Sequence, residues 1–124
     1  MSALRKALQA AASPLETLPE ANGRQRQYLF DANNAVFAGH FPEHPVLPAV
    51  TQILMAQMTL EEALGKALKL CAVVQAKFTA PLGPDAGIEL RVQQGRRAGL
   101  WDCALHCAGR LAAHFQIEVQ AEGV

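Results

Sequence analysis

With 124 residues, 51% of them apolar and 18% charged, the chain has the make-up of one ordinary soluble globular domain with enough core to need no staples. Eleven basic and eleven acidic residues cancel, so bulk charge argues for neither nucleic acid nor an anionic membrane as partner. No apolar run approaches the ~20 residues of a membrane-spanning helix.

The chain opens with two cations, Arg5 and Lys6, and an alanine run broken at Ser13-Pro14. That run is too weakly apolar for a secretory signal. It reads as a helix over residues 3 to 12 with Leu4 and Leu8 on one face, stopped by Pro14 and Pro19. Residues 1–22 are thus expected to be an N-terminal helix and linker within a single domain spanning 1–124. Residues 24 to 31 read as a strand and Asn33-Asn34 as a turn.

Next comes Gly39-His40-Phe41-Pro42-Glu43-His44-Pro45-Val46-Leu47-Pro48-Ala49-Val50. Its three prolines each fix their own φ and bias the preceding residue toward extended backbone, so the path is stiff. Pro48 suits the first turn of a helix running from about 48 to 64, with Gly65 placed to end it. From Val50 to Met58 that helix carries no charge. A helix apolar on every side belongs inside something.

Beyond Leu70 the period changes to two. Val74, Ala76, Phe78 and Ala80 alternate with polar residues until Pro81; Ile88, Leu90 and Val92 form a second such run. Trp101, Cys103, Leu105 and Cys107 form a third, and Leu111, Ala113, Phe115, Ile117 and Val119 a fourth. Short connections at 95–99 and 108–110 suit antiparallel hairpins. One polar face per strand suits a sheet covered on one side. Burying one apolar helix against one such sheet solves both problems. The expected class is α+β, a hot-dog fold in which an antiparallel sheet wraps a long central helix.

Cys71, Cys103 and Cys107 make an odd count. The last two would share a strand face ~13 Å apart, too far to bridge or to share a metal. Three reduced, mostly buried thiols in a cytoplasmic protein is the expectation. His106 and His114 fall on polar strand faces and read as solvated, and no histidine pair has metal-ligand spacing with a third ligand nearby.

His40 stands out because imidazole exchanges protons near neutrality and sits just upstream of a helix start. The free N–H groups there can hold a carbonyl oxygen as it gains negative charge. A base beside an oxyanion site is the minimum for removing a proton α to a thioester carbonyl.

Gly39-His40-Phe41-Pro42 followed by Pro45-Val46-Leu47-Pro48-Ala49-Val50 closely resembles the GHFPxxPVxPGV signature of hot-dog β-hydroxyacyl-acyl-carrier-protein dehydratases. Ala76-Lys77-Phe78-Thr79-Ala80-Pro81-Leu82-Gly83-Pro84-Asp85 is similar to that family's A-x-F-x-x-P-V-x-P-G-D segment. The resemblance covers roughly residues 27 to 119. It implies a 3-hydroxyacyl thioester substrate carried on the phosphopantetheine of an acyl carrier protein, no further cofactor, no metal, and a homodimer with a shared active site. His40 matches the general base, and the N–H groups of Ala49 and Val50 match the carbonyl-binding turn. Phe41, Gln52, Leu54 and Phe78 are expected to line the acyl site.

Two positions depart from the family pattern. Ala49 replaces a glycine of which only the N–H is needed. Leu54 occupies the position of the helix acid, six residues after the second motif proline, and no shift of register by one restores a carboxylate. Glu43 on the loop is the first substitute acid; Glu61, seven residues past Leu54, lies ~10 Å further along the axis. Thr51, Gln52 and Gln57 can orient a water or hydroxyl without acting as acids. Two other readings use the same pocket: a non-catalytic subunit that binds acyl chains or pairs with an active paralogue, and an acyl thioesterase. Lys66, Lys69, Arg96, Arg97 and Arg110 offer a basic rim for an acidic carrier.

Overall fold

The computed structural model describes residues 2–37 and 43–123. Helix α1 (Ala3–Ala11) starts at Ser2, whose hydroxyl accepts from the Arg5 N–H and so caps the first turn. The linker behind it contains strand β1 (Glu16–Thr17), and strand β2 (Arg24–Tyr28) follows. β2 stops three residues short of the expected end at Asp31; Phe30 is fully buried and a 3₁₀ turn (Ala35–Phe37) follows. Helix α2 (Ala49–Leu64) comes next. Pro48 is its N-cap, extended at φ −63° and ψ 151°, not a member of its first turn. Gly65 ends it in the left-handed region at φ 68°, its N–H reaching the Glu61 carbonyl.

Four long strands follow: β3 (Leu68–Phe78), β4 (Ile88–Gln94), β5 (Leu100–Cys107) and β6 (Arg110–Ala121). With β1 and β2 they form one antiparallel sheet in the order β1-β2-β4-β5-β6-β3, which leaves β3 at an edge. Residues directly opposite one another share a face. Ile88, Leu90 and Val92 stand opposite Cys107, Leu105 and Cys103, and Cys103 and Trp101 stand opposite Phe115 and Ile117. These are the inward positions that the alternation predicts, and with Met55, Ala56 and Leu60 of α2 they supply about half of the core.

The alternation misplaces three stretches. A register shift after Leu105 puts Leu111 opposite His106 on the outer face, 48% exposed, while Ala112 and Ala113 are both buried. On β3, shifts after Leu70 and after Val74 each insert an extra residue. Val74 therefore pairs with Gln116 on the outer face, and Val73, opposite Ile117, takes the inner one. Gln75 sits at φ +53° in the second bulge, Ala76 is exposed, and Ala80 lies beyond the strand's end. The thiols also differ from expectation: Cys103 is buried and Cys107 half-buried, but Cys71 is exposed.

α2 buries one side only. Thr51, Gln52, Met55, Ala56, Thr59 and Leu60 face the sheet, whereas Ile53, Leu54 and Met58 are half-covered and Val50 is 73% exposed. The apolar opposite side of this helix has no cover within the described residues.

Candidate functional site

The two motif segments meet. The Leu47 N–H donates to the Leu82 carbonyl at 2.7 Å, tying the strap before α2 to the segment after β3. Gly83 lies against this strap; a Cβ there would stand 3.4 Å from the Pro45 carbonyl oxygen. Between the segments opens a cavity of about 200 Å³, lined by Val46, Leu47, Ala49, Gln52 and the run Phe78, Thr79, Ala80 and Pro81. Phe78 stacks on Phe115 with ring centroids 5.9 Å apart, which fixes that wall on the sheet.

This cavity sits at the positive end of α2. Pro48 has no side chain able to cap the helix, and the first N–H that reaches back to the Pro48 carbonyl is that of Gln52, at 3.1 Å. The N–H groups of Ala49, Val50 and Thr51 therefore have no partner inside the helix. They are available to an oxygen that gains negative charge. Gln52, only 4% exposed, donates from Nε2 to the Leu47 carbonyl at 3.1 Å, and its Oε1 is buried without a partner among the described residues.

Ala49, Gln52 and Phe78 are thus brought to one cavity. Leu54 does not line it; its side chain packs, half-buried, against the core. Val50 does not line it and Glu43 is exposed in a turn. His40 and Phe41 lie outside the described residues. Val46, Leu47, Thr79, Ala80 and Pro81 are lining residues not singled out from the sequence, although all stand inside the two motifs. The signal that would have found them is that both motifs bend around prolines and must pack somewhere.

The other acids of α2 serve structure. Glu61 pairs with Arg5 at 2.8 Å and accepts from the Leu68 N–H at 2.9 Å; Glu62 pairs with Arg26 at 3.2 Å. Arg26 is buried and also donates to the Ser13 carbonyl. These groups line a larger cavity of about 520 Å³ under α1, at the far end of α2, where both acids are already neutralised by cations. Nearby, Thr59 donates its hydrogen to the Met55 carbonyl, which leaves the Tyr28 hydroxyl to donate to Thr59. Burial holds the Tyr28 phenol above its ordinary range, partly offset by that hydrogen bond. On the outer face His106 is half-buried with Nδ1 unpartnered, not freely solvated. Among the described residues no three His, Cys, Asp or Glu gather as a metal site, and no helix is long and apolar enough to cross a membrane.

Against this geometry, a family model described as ApeI-like, ApeI dehydratase, matches residues 18–116. A 3-hydroxyacyl-[acyl-carrier-protein] dehydratase FabZ of Gluconobacter oxydans is 37% identical over 79 residues, covering 56% of this chain and 47% of that protein. The FabZ of Sulfurimonas denitrificans is 34% identical over 80 residues, 53% of this chain and 54% of that one. The chain spans about half the length of the curated relatives it matches. Among solved structures, the dehydratase heterocomplex ApeI:P from Xenorhabdus doucetiae superposes with a TM-score of 0.76 at 23% identity, over 87% of this chain and 95% of that one. At such identity the likeness is one of fold, and that fold is the hot-dog.

Proposed function

The chain belongs to the ApeI-like dehydratase family, and from that membership we propose that it dehydrates 3-hydroxyacyl thioesters to trans-2-enoyl thioesters and water. The observation that carries this reading is the meeting of both motif segments in one cavity at the uncapped start of α2. A thioester carbonyl seated on the N–H groups of Ala49 and Val50 gains an electrostatic partner as the C2–H bond breaks. His40, carried over from the motif, removes that C2 proton. The electron pair forms the C2–C3 double bond and the C3–O bond breaks. With Leu54 in place of a helix acid and Glu43 exposed, the imidazolium itself returns the proton to the departing hydroxyl, so the balance closes with water as product.

This acid–base chemistry takes no cofactor. We assign the acyl group to an acyl carrier protein, the carrier in the relatives' names, and place it on that carrier's phosphopantetheine arm. The half-covered side of α2 and the free edge of β3, with Val73 40% exposed on its inner face, support a homodimer. The three free thiols support the cytoplasm as its compartment. Purified protein given a (3R)-3-hydroxyacyl-carrier substrate should form the conjugated enoyl product, and His40→Ala should abolish it. Turnover unchanged in that variant overturns the assignment.

Leu54 favours a second reading, a subunit that binds acyl chains and pairs with an active paralogue. The solved relative bears the name of a heterocomplex. This reading expects no turnover alone and turnover on co-expression with a paralogue that carries the helix carboxylate. Thiol release without enoyl formation would instead indicate a thioesterase.

A further inference from the structure

The larger cavity, about 520 Å³ under α1, has no part in the reaction proposed above. It stands at the far end of α2 from Ala49, and its size is that of a small-molecule site. Arg5, Arg26, Lys66, Glu61 and Glu62 all border it. Arg5 pairs with Glu61 and Arg26 with Glu62, whereas Lys66 has no carboxylate partner among the described residues. Three cations against two carboxylates leave the lining one positive charge in excess.

Arg26 is the buried member of this set. It is 8% exposed, and its hydrogen bonds run from Nε and Nη2 only, to the Ser13 carbonyl and to Glu62. The Tyr28 phenol stands near enough to feel this cation, but no hydrogen bond of ordinary geometry joins them. Nη1 therefore donates to nothing among the described residues, yet it is not one of the unpartnered atoms sealed from solvent. Since Arg26 borders the cavity, the surface it keeps opens there. A cation this deep in the fold, with N–H groups unused, costs stability unless an acceptor completes it.

The balance of charge narrows that acceptor. A monoanion brings the lining to neutrality, while a phosphate monoester would set a second negative charge against Glu61 and Glu62. A carboxylate takes charge-assisted hydrogen bonds from a guanidinium. Leu8, Ala12, Met58 and the Tyr28 ring supply an apolar wall for a hydrocarbon tail. We propose that this cavity is a second ligand site that takes an alkyl carboxylate, its head on Arg26 Nη1 and Lys66 and its tail under α1. The site does not depend on the reading given to the cavity at the start of α2.

Titration calorimetry on the full-length chain tests this with three probes: octanoate, its uncharged amide and acetate. Octanoate is expected to bind one per chain, at least about tenfold tighter than octanamide, which lacks the charge. It should exceed acetate, which lacks the tail, by at least about tenfold too. Lys66→Gln, on the exposed rim, should bring octanoate within about threefold of octanamide and leave octanamide unchanged. Arg26→Lys keeps a cation for Glu62 but removes Nη1, and it should act in the same direction. Ala67→Phe, at the cavity's exposed edge, should block octanoate and octanamide alike. The cavity beside Phe78 is the competing location, so Phe78→Ala should leave octanoate affinity unchanged. Equal binding of octanoate and octanamide to the wild type, or no saturable binding at millimolar octanoate, overturns the proposal. Affinity that survives both Lys66→Gln and Ala67→Phe does so as well, and these two exposed positions decide the case should Arg26→Lys fail to fold. Affinity lost in Phe78→Ala instead moves octanoate to the other cavity and equally overturns it.

Discussion

Position 54 bears on how the proton travels in the proposed reaction. A leucine there packs against the core, so on that proposal His40 does alone the work that two groups would share. Leu54→Glu supplies a second. Because a positioned acid contributes on the order of 10² or more to rate, this variant is expected to raise kcat for dehydration at least about tenfold, measured by enoyl absorbance. It should also cost about 1–3 kcal/mol of stability in a denaturant melt, since the carboxyl replaces a half-buried apolar side chain. A fall in kcat would show that the proton is not what limits turnover. Glu61 behaves differently, being held by two partners. Arg5→Ala removes a partly exposed pair and should cost under about 1 kcal/mol. Glu61→Ala also orphans the Leu68 N–H and should cost about 1–3 kcal/mol. Part of the candidate cavity could be read from residue order: Ala49 and Phe78 stand inside the two motifs and Gln52 just beyond the first, whereas Val46, Leu47, Thr79, Ala80 and Pro81 were not singled out. The empty Oε1 of Gln52 could not be so read, because hydrogen-bond accounting needs the neighbours in space.

The hairpin joining β5 and β6 is the clearest case at the level of elements. Its two residues, Ala108 and Gly109, both have positive φ, 52° and 76°. That conformation favours Asn-Gly, and alanine pays a steric penalty there. Ala108→Asn should therefore raise stability by about 0.5–1 kcal/mol, seen as a higher denaturant midpoint with unchanged slope. The helices and strands themselves were legible because periodicity and punctuation agree along most of the chain. Faces were lost where the ladder slips. The shifts after Leu70, Val74 and Leu105 invert the side chains that follow, and a bulge has no sequence mark as plain as a glycine or proline. Hence Leu111 and Val74, inward by alternation, face outward, while β4 and the middle of β5, free of slips, follow the pattern throughout.

Across the whole molecule, burial sets the response to alkali. Burial first, and the Asp102 carboxylate second, push the Cys103 thiol up from 9.0. Burial likewise raises the Tyr28 phenol from 10.0. Folding thus keeps both groups neutral at pH values where the unfolded chain ionises them. Their stabilising share is complete below about pH 9 and is lost as pH rises beyond it. The melting temperature is expected to fall above that pH, and Cys103→Ala should make the fall shallower. Thiol labelling at neutral pH should modify Cys71 quickly and Cys103 only on unfolding. A quickly labelled Cys103 would contradict its burial in the core.

The two slips in β3 have a further effect on what this edge can accept. A straight, regular strand approaching it can align its amides over only one short stretch at a time, because each extra residue throws the next donors and acceptors out of step. The edge therefore discriminates by rhythm: a strand that follows its full length must carry compensating offsets, and chance encounters with flat strands stop after a few bonds. Irregularity here acts as protection against open-ended stacking, and it does so without a single proline in the strand.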